Sequence, residues 1–129
     1  MSTIESIPSA DTIRATVTGY MAALESGSST TIAALYADDA TLEDPVGSEP
    51  KVGRDAITKF YGALDGSKQT TELLSLKISG ANAAFHFRVT TPMGGATYEV
   101  EPIDVMTFDE QGRITSMRAF WSPADLRTL

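Results

Sequence analysis

The spacing of apolar residues changes once along this chain, and the change restricts what it can fold into. Before Gly66 the apolar positions recur every three or four residues, and after it they alternate. The first period is that of a helix face and the second that of a strand face. The order is therefore helices first and antiparallel strands afterwards, an α+β pattern with the helices packed on one face of a sheet.

Within the helical part, Pro8 and Ser9 mark a helix start. Ile13, Val17, Tyr20, Met21 and Leu24 then form one stripe, which Gly27 ends. Ser29 and Thr30 can cap a second, short helix carrying Ile32, Leu35 and Tyr36, closed by a turn at Asp38 and Asp39. Residues 40–44 read as a short strand that Pro45 and Gly47 break. The spacing predicts a third helix over 54–64, with Ile57, Phe60, Tyr61 and Leu64 on one side and Gly66 beyond its end.

In the alternating part, Leu74, Leu76 and Ile78 share a face, as do Phe85, Phe87 and Val89, with a turn at Gly80, Ala81 and Asn82 between them. A turn over 92–95 leads into one strand over 98–108, and a turn over 109–112 leads into another over 114–121. Pro102, inside the first of these, marks a possible bend or edge position. No repeat, low-complexity tract or linker-like shift divides residues 1–129, which read as a single domain with only the first eight or so residues and the last few loosely held. A chain of this length buries roughly two thirds of its unfolded surface, enough for one core.

Composition removes several kinds of chemistry. There is no cysteine and one histidine, His86. Thiol nucleophiles, disulfides and multi-histidine metal sites are thereby excluded. Seventeen acids against ten bases give a net charge of −7 without a basic run, which argues against a nucleic-acid surface. The first fourteen residues lack a basic, apolar leader, and no stretch approaches the ~20 apolar residues of a membrane span. The expectation is a cytoplasmic, soluble protein. Gly94-Gly95 is read as a turn, because the lysine and helix start of a phosphate loop are missing.

Three residues carry the chemical interest. Asp104 shares a strand face with Met106 and Phe108; buried there, it would be driven toward its neutral form and become a hydrogen-bond donor. Ile103 and Val105 are apolar as well, so the pattern leaves open which face is inside. Tyr20, on a helix stripe, needs a partner for its hydroxyl if buried. Two neutral donors aimed at one point would make an oxyanion hole. Asp44 precedes Pro45 at a strand end, where an acid can serve either as a turn residue or as a base reaching a pocket. Glu43 competes with it, since alternation lets only one of the two point inward. Phe60, Tyr61, Phe85, Phe87, Phe120 and Trp121 read as core, and His86 lies opposite Phe85 and Phe87.

The stretch Tyr36-Ala37-Asp38-Asp39-Ala40-Thr41-Leu42-Glu43-Asp44-Pro45-Val46-Gly47-Ser48-Glu49-Pro50 resembles bacterial Δ5-3-ketosteroid isomerases of the nuclear-transport-factor-like, polyketide-cyclase-like superfamily. Two further blocks resemble the same family: Gly19-Tyr20-Met21-Ala22-Ala23-Leu24, and Pro102-Ile103-Asp104-Val105-Met106-Thr107-Phe108-Asp109-Glu110-Gln111-Gly112-Arg113-Ile114. Together the likeness spans about residues 13–121. It implies that Asp44, not Glu43, is the proton-shuttling base, with Tyr20 and an inward, protonated Asp104 as the oxyanion hole. A base aspartate beside a neutral acid is a known property of these enzymes, not a deduction from this sequence.

The resemblance further implies that Tyr36 and Tyr61 brace the hole and that Phe87, Met117 and Trp121 form apolar walls. The implied fold is a curved, mainly antiparallel sheet wrapped around three helices to form a conical pocket, usually in a homodimer. The implied reaction converts 3-oxo-Δ5-steroids to conjugated Δ4 isomers and uses no cofactor and no metal. His86 departs modestly from the family, standing where relatives carry an apolar residue. Two other functions compete: an epoxide hydrolase or cyclase on the same scaffold, with Arg88 or Arg118 turned inward between two acids, and a non-catalytic module for hydrophobic ligands.

Overall fold

The computed structural model describes residues 7–129 and has the α+β order expected from the period change. Helix α1 (Ala10–Ser26) starts at Ser9, whose side chain accepts from the Thr12 N–H at 3.0 Å. All five predicted stripe residues, Ile13, Val17, Tyr20, Met21 and Leu24, are buried. The helix stops at Gly27, in the left-handed region at φ 66°. A side chain there would also meet the Ser67 carbonyl, because a Cβ would lie 2.2 Å from its oxygen. Gly27 thus lets the end of α1 lie against the segment that leads into the sheet. Of the eight residues expected to be loosely held, 1–6 lie outside the described residues; Ile7 is exposed, but Pro8 is buried.

Helix α2 (Ser29–Ala33) is shorter than predicted and is capped by Ser28, not Ser29 or Thr30. The expected extension through Tyr36 does not form. Tyr36 instead opens strand β1 (Tyr36–Glu43), which runs parallel to strand β7 (Ile114–Phe120) with Tyr36 opposite Ile114. Pairing with a distant strand outweighs a local helical spacing of only two turns. A two-residue strand, β2 (Lys51–Val52), borders β1 on its other side. Helix α3 (Arg54–Tyr61) continues as a single 3-10 turn, Gly62–Leu64, so the predicted span of 54–64 is recovered in two parts. Arg54 fixes its start by donating to the Tyr36 carbonyl, 3.2 Å from Nε.

Strand β3 (Thr70–Ser79) pairs with residues 82–90 of β4 (Asn82–Met93). A register shift between Leu73 and Ser75 inserts Leu74, which is exposed instead of sharing the face of Leu76 and Ile78. On its other side β4 has two partners. Its first half pairs with β6 (Ile103–Phe108) and its second half with β5 (Ala96–Val100). The single strand predicted over 98–108 is therefore two strands, separated at Pro102, which has no N–H to give to a ladder. The final residues are not loose: β8 (Arg127–Thr128) pairs with β5.

The sheet order is β2-β1-β7-β6-β4-β5-β8, with β3 beside β4. It is mixed, open and mainly antiparallel, with β1–β7 as its parallel pair. Its concave face and the three helices enclose the core, which runs from Ile13 and Val17 to Phe85, Met106 and Met117. Phe120, expected in that core, is 43% exposed on the outer face opposite Ile103, and the Arg118 guanidinium sits 5.3 Å from its ring centroid. No helix among the described residues is long and apolar enough to cross a membrane.

Candidate active site

Between the helices and the concave sheet lies a cavity of about 450 Å³, in the size range of small-molecule sites. Each element supplies part of its wall. Helix α1 gives Tyr20 and Leu24, and α3 with its following turn gives Phe60, Tyr61 and Leu64. The segment just after β1 gives Asp44 and Pro45, the sheet gives Phe87, Val89, Asp104 and Ala119, and Trp121 follows β7. The lining is mostly apolar, so each polar group in it stands out.

Tyr20 is held edge-on by aromatic neighbours, with Phe85 at 6.4 Å, Phe87 at 6.5 Å and Tyr61 at 6.5 Å between ring centroids. Its hydroxyl hydrogen-bonds that of Tyr61 at 3.0 Å, and Tyr61 in turn bonds Tyr36 at 2.7 Å. The three phenols form one buried chain with Tyr61 in the middle. Burial raises all three well above the usual tyrosine value, with further upward contributions from neighbouring tyrosines and from Asp44. They are neutral at physiological pH, so Tyr20 can be a donor toward the cavity while Tyr61 and Tyr36 orient it.

Asp104 is 1% exposed, on the inward face of β6 with Met106 and Phe108. It stands opposite Phe85 on one side and Ala119 on the other. Its Oδ1 is buried with no hydrogen-bond partner. Burial first, and the nearby Asp44 second, raise its pKa well above that of an ordinary aspartate. Desolvation of this kind shifts a carboxyl toward its protonated form. The inward orientation that alternation left open is thus decided by the pairing of β6 between β4 and β7.

Asp44 lines the cavity and Glu43 does not. Glu43 faces outward, accepting from the Gly47 N–H at 2.9 Å and from Arg118 Nε at 3.1 Å. Those two contacts hold its pKa below the usual value. Asp44 instead accepts a 2.7 Å bond from Trp121 Nε1. Burial raises the Asp44 pKa, and the indole bond partly offsets that rise. The result is a desolvated, singly anchored carboxylate facing an apolar space, suited to taking up a proton.

The profile of the SnoaL-like domain family matches residues 17–117. A steroid Delta-isomerase of Nocardioides simplex is 59% identical over 114 residues, covering 88% of this chain and 93% of the relative. The chain belongs to the steroid Delta-isomerase family, within the SnoaL-like domains. It is an isomerase. Two solved structures share the fold of this isomerase. One is SalBIII, an epoxide hydrolase/cyclase-like enzyme in pyran ring formation in the polyether salinomycin, with a TM-score of 0.84 and 24% identity over 92% of this chain and 97% of that one. The other is RV0760c from Mycobacterium tuberculosis, with a TM-score of 0.84 and 20% identity over 99% of this chain and 100% of that one.

For this steroid Delta-isomerase family member, the cavity brings together Tyr20, Asp44, Tyr61, Phe87, Asp104 and Trp121. Two residues expected at the site sit behind it. Tyr36 reaches the cavity only through Tyr61, and Met117, 1% exposed, is packed in the core. Ala119, two positions along the same inward face, lines the cavity instead, while Met117 stands opposite Met106. Trp121 does more than form a wall, since its indole anchors Asp44. Arg88 pairs outward with Glu72 and Glu101, and Arg118 with Glu43, so neither lies between two cavity acids. His86 faces outward beside Glu101 at 3.3 Å. The sequence reading missed Gln69, which lines the cavity yet lies in an irregular segment where no periodicity assigns a face.

Proposed function

We propose that this isomerase moves the ring double bond of a 3-oxo-Δ5-steroid into conjugation, with Asp44 as base and Tyr20 and neutral Asp104 as donors to the C3 oxygen. The observation that carries the reading is the convergence of these three side chains on one apolar cavity, in a chain closely similar to a steroid Delta-isomerase. Asp44 removes a proton from C4. The electron pair moves into the ring to give a dienolate, whose charge rests on the C3 oxygen. The protonated Asp44 then delivers the same proton to C6, and the carbonyl re-forms.

Hydrogen is neither gained nor lost, so the reaction is redox-neutral. The C4 proton is acidic only to the extent that the oxyanion is stabilised, and donors already neutral and fixed do this without reorganising. An enclosed apolar wall strengthens those bonds and recognises a flat, neutral substrate by buried area. The direct test is ultraviolet absorbance of a 3-oxo-Δ5-steroid mixed with pure protein. Growth of the enone band at catalytic enzyme concentration is expected. A steroid that binds without spectral change would instead identify a binding module.

The reading extends to a homodimer. Ile103 and Phe120 oppose each other on the outer face of the sheet, 48% and 43% exposed, a pair of large apolar residues left uncovered. Sedimentation at low micromolar concentration is expected to give about twice the 13.7 kDa chain mass. An active species at the single-chain mass would remove the dimer from the proposal and leave the chemistry standing.

A further inference from the structure

One polar group in the cavity has no part in the proton transfer. Gln69 is 6% exposed, lines the cavity, and has its Oε1 buried with no hydrogen-bond partner. An unpaired amide in an apolar wall costs stability, and the penalty is relieved when a ligand supplies the missing partner.

Its position is as informative as its state. Asp104 stands opposite Phe85 on β4, at one end of the inward row Phe85, Phe87, Val89, Thr91. Gln69 immediately precedes Thr70, which pairs with Thr90, so it enters the sheet beside Thr91 at the other end of that row. Phe87, Val89 and Thr91 all line the cavity between the two groups. Three strand steps of two residues span roughly 20 Å of contour, shortened by sheet curvature and by the two side chains reaching toward each other. The cavity is thus polar at both ends and apolar along its length. Thr91 adds a hydroxyl to the remote end.

We propose that Gln69 selects steroids carrying an oxygen substituent, a hydroxyl or a ketone, on the ring farthest from C3. This rests on the isomerase reading above and specifies its substrate class. With C3 held by Tyr20 and Asp104, the long axis of the fused rings follows the Phe87–Val89 wall and brings the opposite ring to Gln69. The amide has both an acceptor and donors, so it can pair with a hydroxyl or a carbonyl. A steroid that ends in bare hydrocarbon leaves the amide unpaired and is disfavoured.

The test compares kcat/KM for three 3-oxo-Δ5-steroids that bear at C17 a hydroxyl, a ketone or only hydrogen. The wild-type enzyme and two variants, Gln69→Met and Gln69→Leu, are each assayed with all three. Wild type is expected to favour the oxygenated substrates by about 3- to 10-fold, the worth of one neutral hydrogen bond. Both variants should lose that preference through KM, with little change in kcat. Met keeps the length of the side chain and Leu shortens it, so agreement between them separates lost hydrogen bonding from altered shape. Equal wild-type rates on all three substrates, or a preference that survives in the variants, overturns the role of Gln69 while leaving the isomerase intact. Absence of turnover on every substrate overturns both. The wild-type comparison requires no variant to fold.

Discussion

Replacing Asp44 with asparagine is expected to remove nearly all turnover, lowering kcat by about 100- to 10,000-fold, the usual worth of a positioned base. Steroid affinity should survive. The amide keeps the shape of the side chain and can still accept the Trp121 indole bond, made at 2.7 Å in the parent, but it cannot take a proton from C4. The neighbouring change, Glu43→Gln, is the control. Glu43 is turned away to Gly47 and Arg118, so its loss should alter rate little. Initial rates and equilibrium binding of a phenolic steroid, which imitates the dienolate, separate the two effects. Equal losses from both changes would remove Asp44 from the mechanism. Only ionised Asp44 is a base, and burial raises its pKa, so activity should fall on acidification within a range above that of an ordinary aspartate.

Asp104 gives the second large expected effect, because its proposed role requires a proton where most aspartates have none. Asp104→Leu removes a donor to the developing oxyanion, and one such donor is worth about 100- to 1000-fold in turnover, or ~3 to 4 kcal/mol of barrier. Asp104→Asn retains an N–H donor and should keep much more of the activity. Tyr20→Phe should lose activity on the scale of the leucine variant, and combining the two should depart from additivity, since both donors serve one oxygen. Should the asparagine and leucine variants prove equally inactive while folded, a charged Asp104 becomes the better description.

The same proton predicts a stability difference. The folded pKa of Asp104 is raised by burial and by Asp44, whereas in the unfolded chain the same side chain titrates at about 3.9. Below that value both states hold the proton. As pH rises past it, the unfolded state gives up its proton and the folded one does not, so folding becomes progressively less favoured. Asp104→Asn lacks this penalty. Its urea midpoint should therefore gain on the wild type between pH 4 and pH 8, the reverse of its effect on activity.

Some local outcomes were settled by neighbouring residues in the chain. The stripe from Ile13 to Leu24, its start at Ser9 and its stop at Gly27 are all short-range patterns, and α1 follows them closely. Resemblance extended that reading to Asp44, Tyr20 and Asp104, which do line one cavity. Where the sequence misled, distant pairing was responsible. Tyr36 and Leu35 fit a helix face, yet Tyr36 joins a parallel ladder with a strand nearly eighty residues later. Leu74 fits an alternating face, yet a register shift against β4 exposes it.

The sequence by itself determined the buried stripe of α1, its boundaries at Ser9 and Gly27, and the lack of any thiol. Each depends on contacts within a turn or on composition. Tertiary structure decided which way Asp104 faces, which the alternation of Ile103 and Val105 with Met106 had left open and the family resemblance had only implied. It alone joined Tyr20, Tyr61 and Tyr36 into one hydrogen-bonded chain across three elements. It also turned Gln69, which has no pattern of its own, into a buried amide in the cavity wall. The physical reason is common to all three. Burial and partnership are properties of the space between elements, and that space exists only once the sheet has curved over its helices.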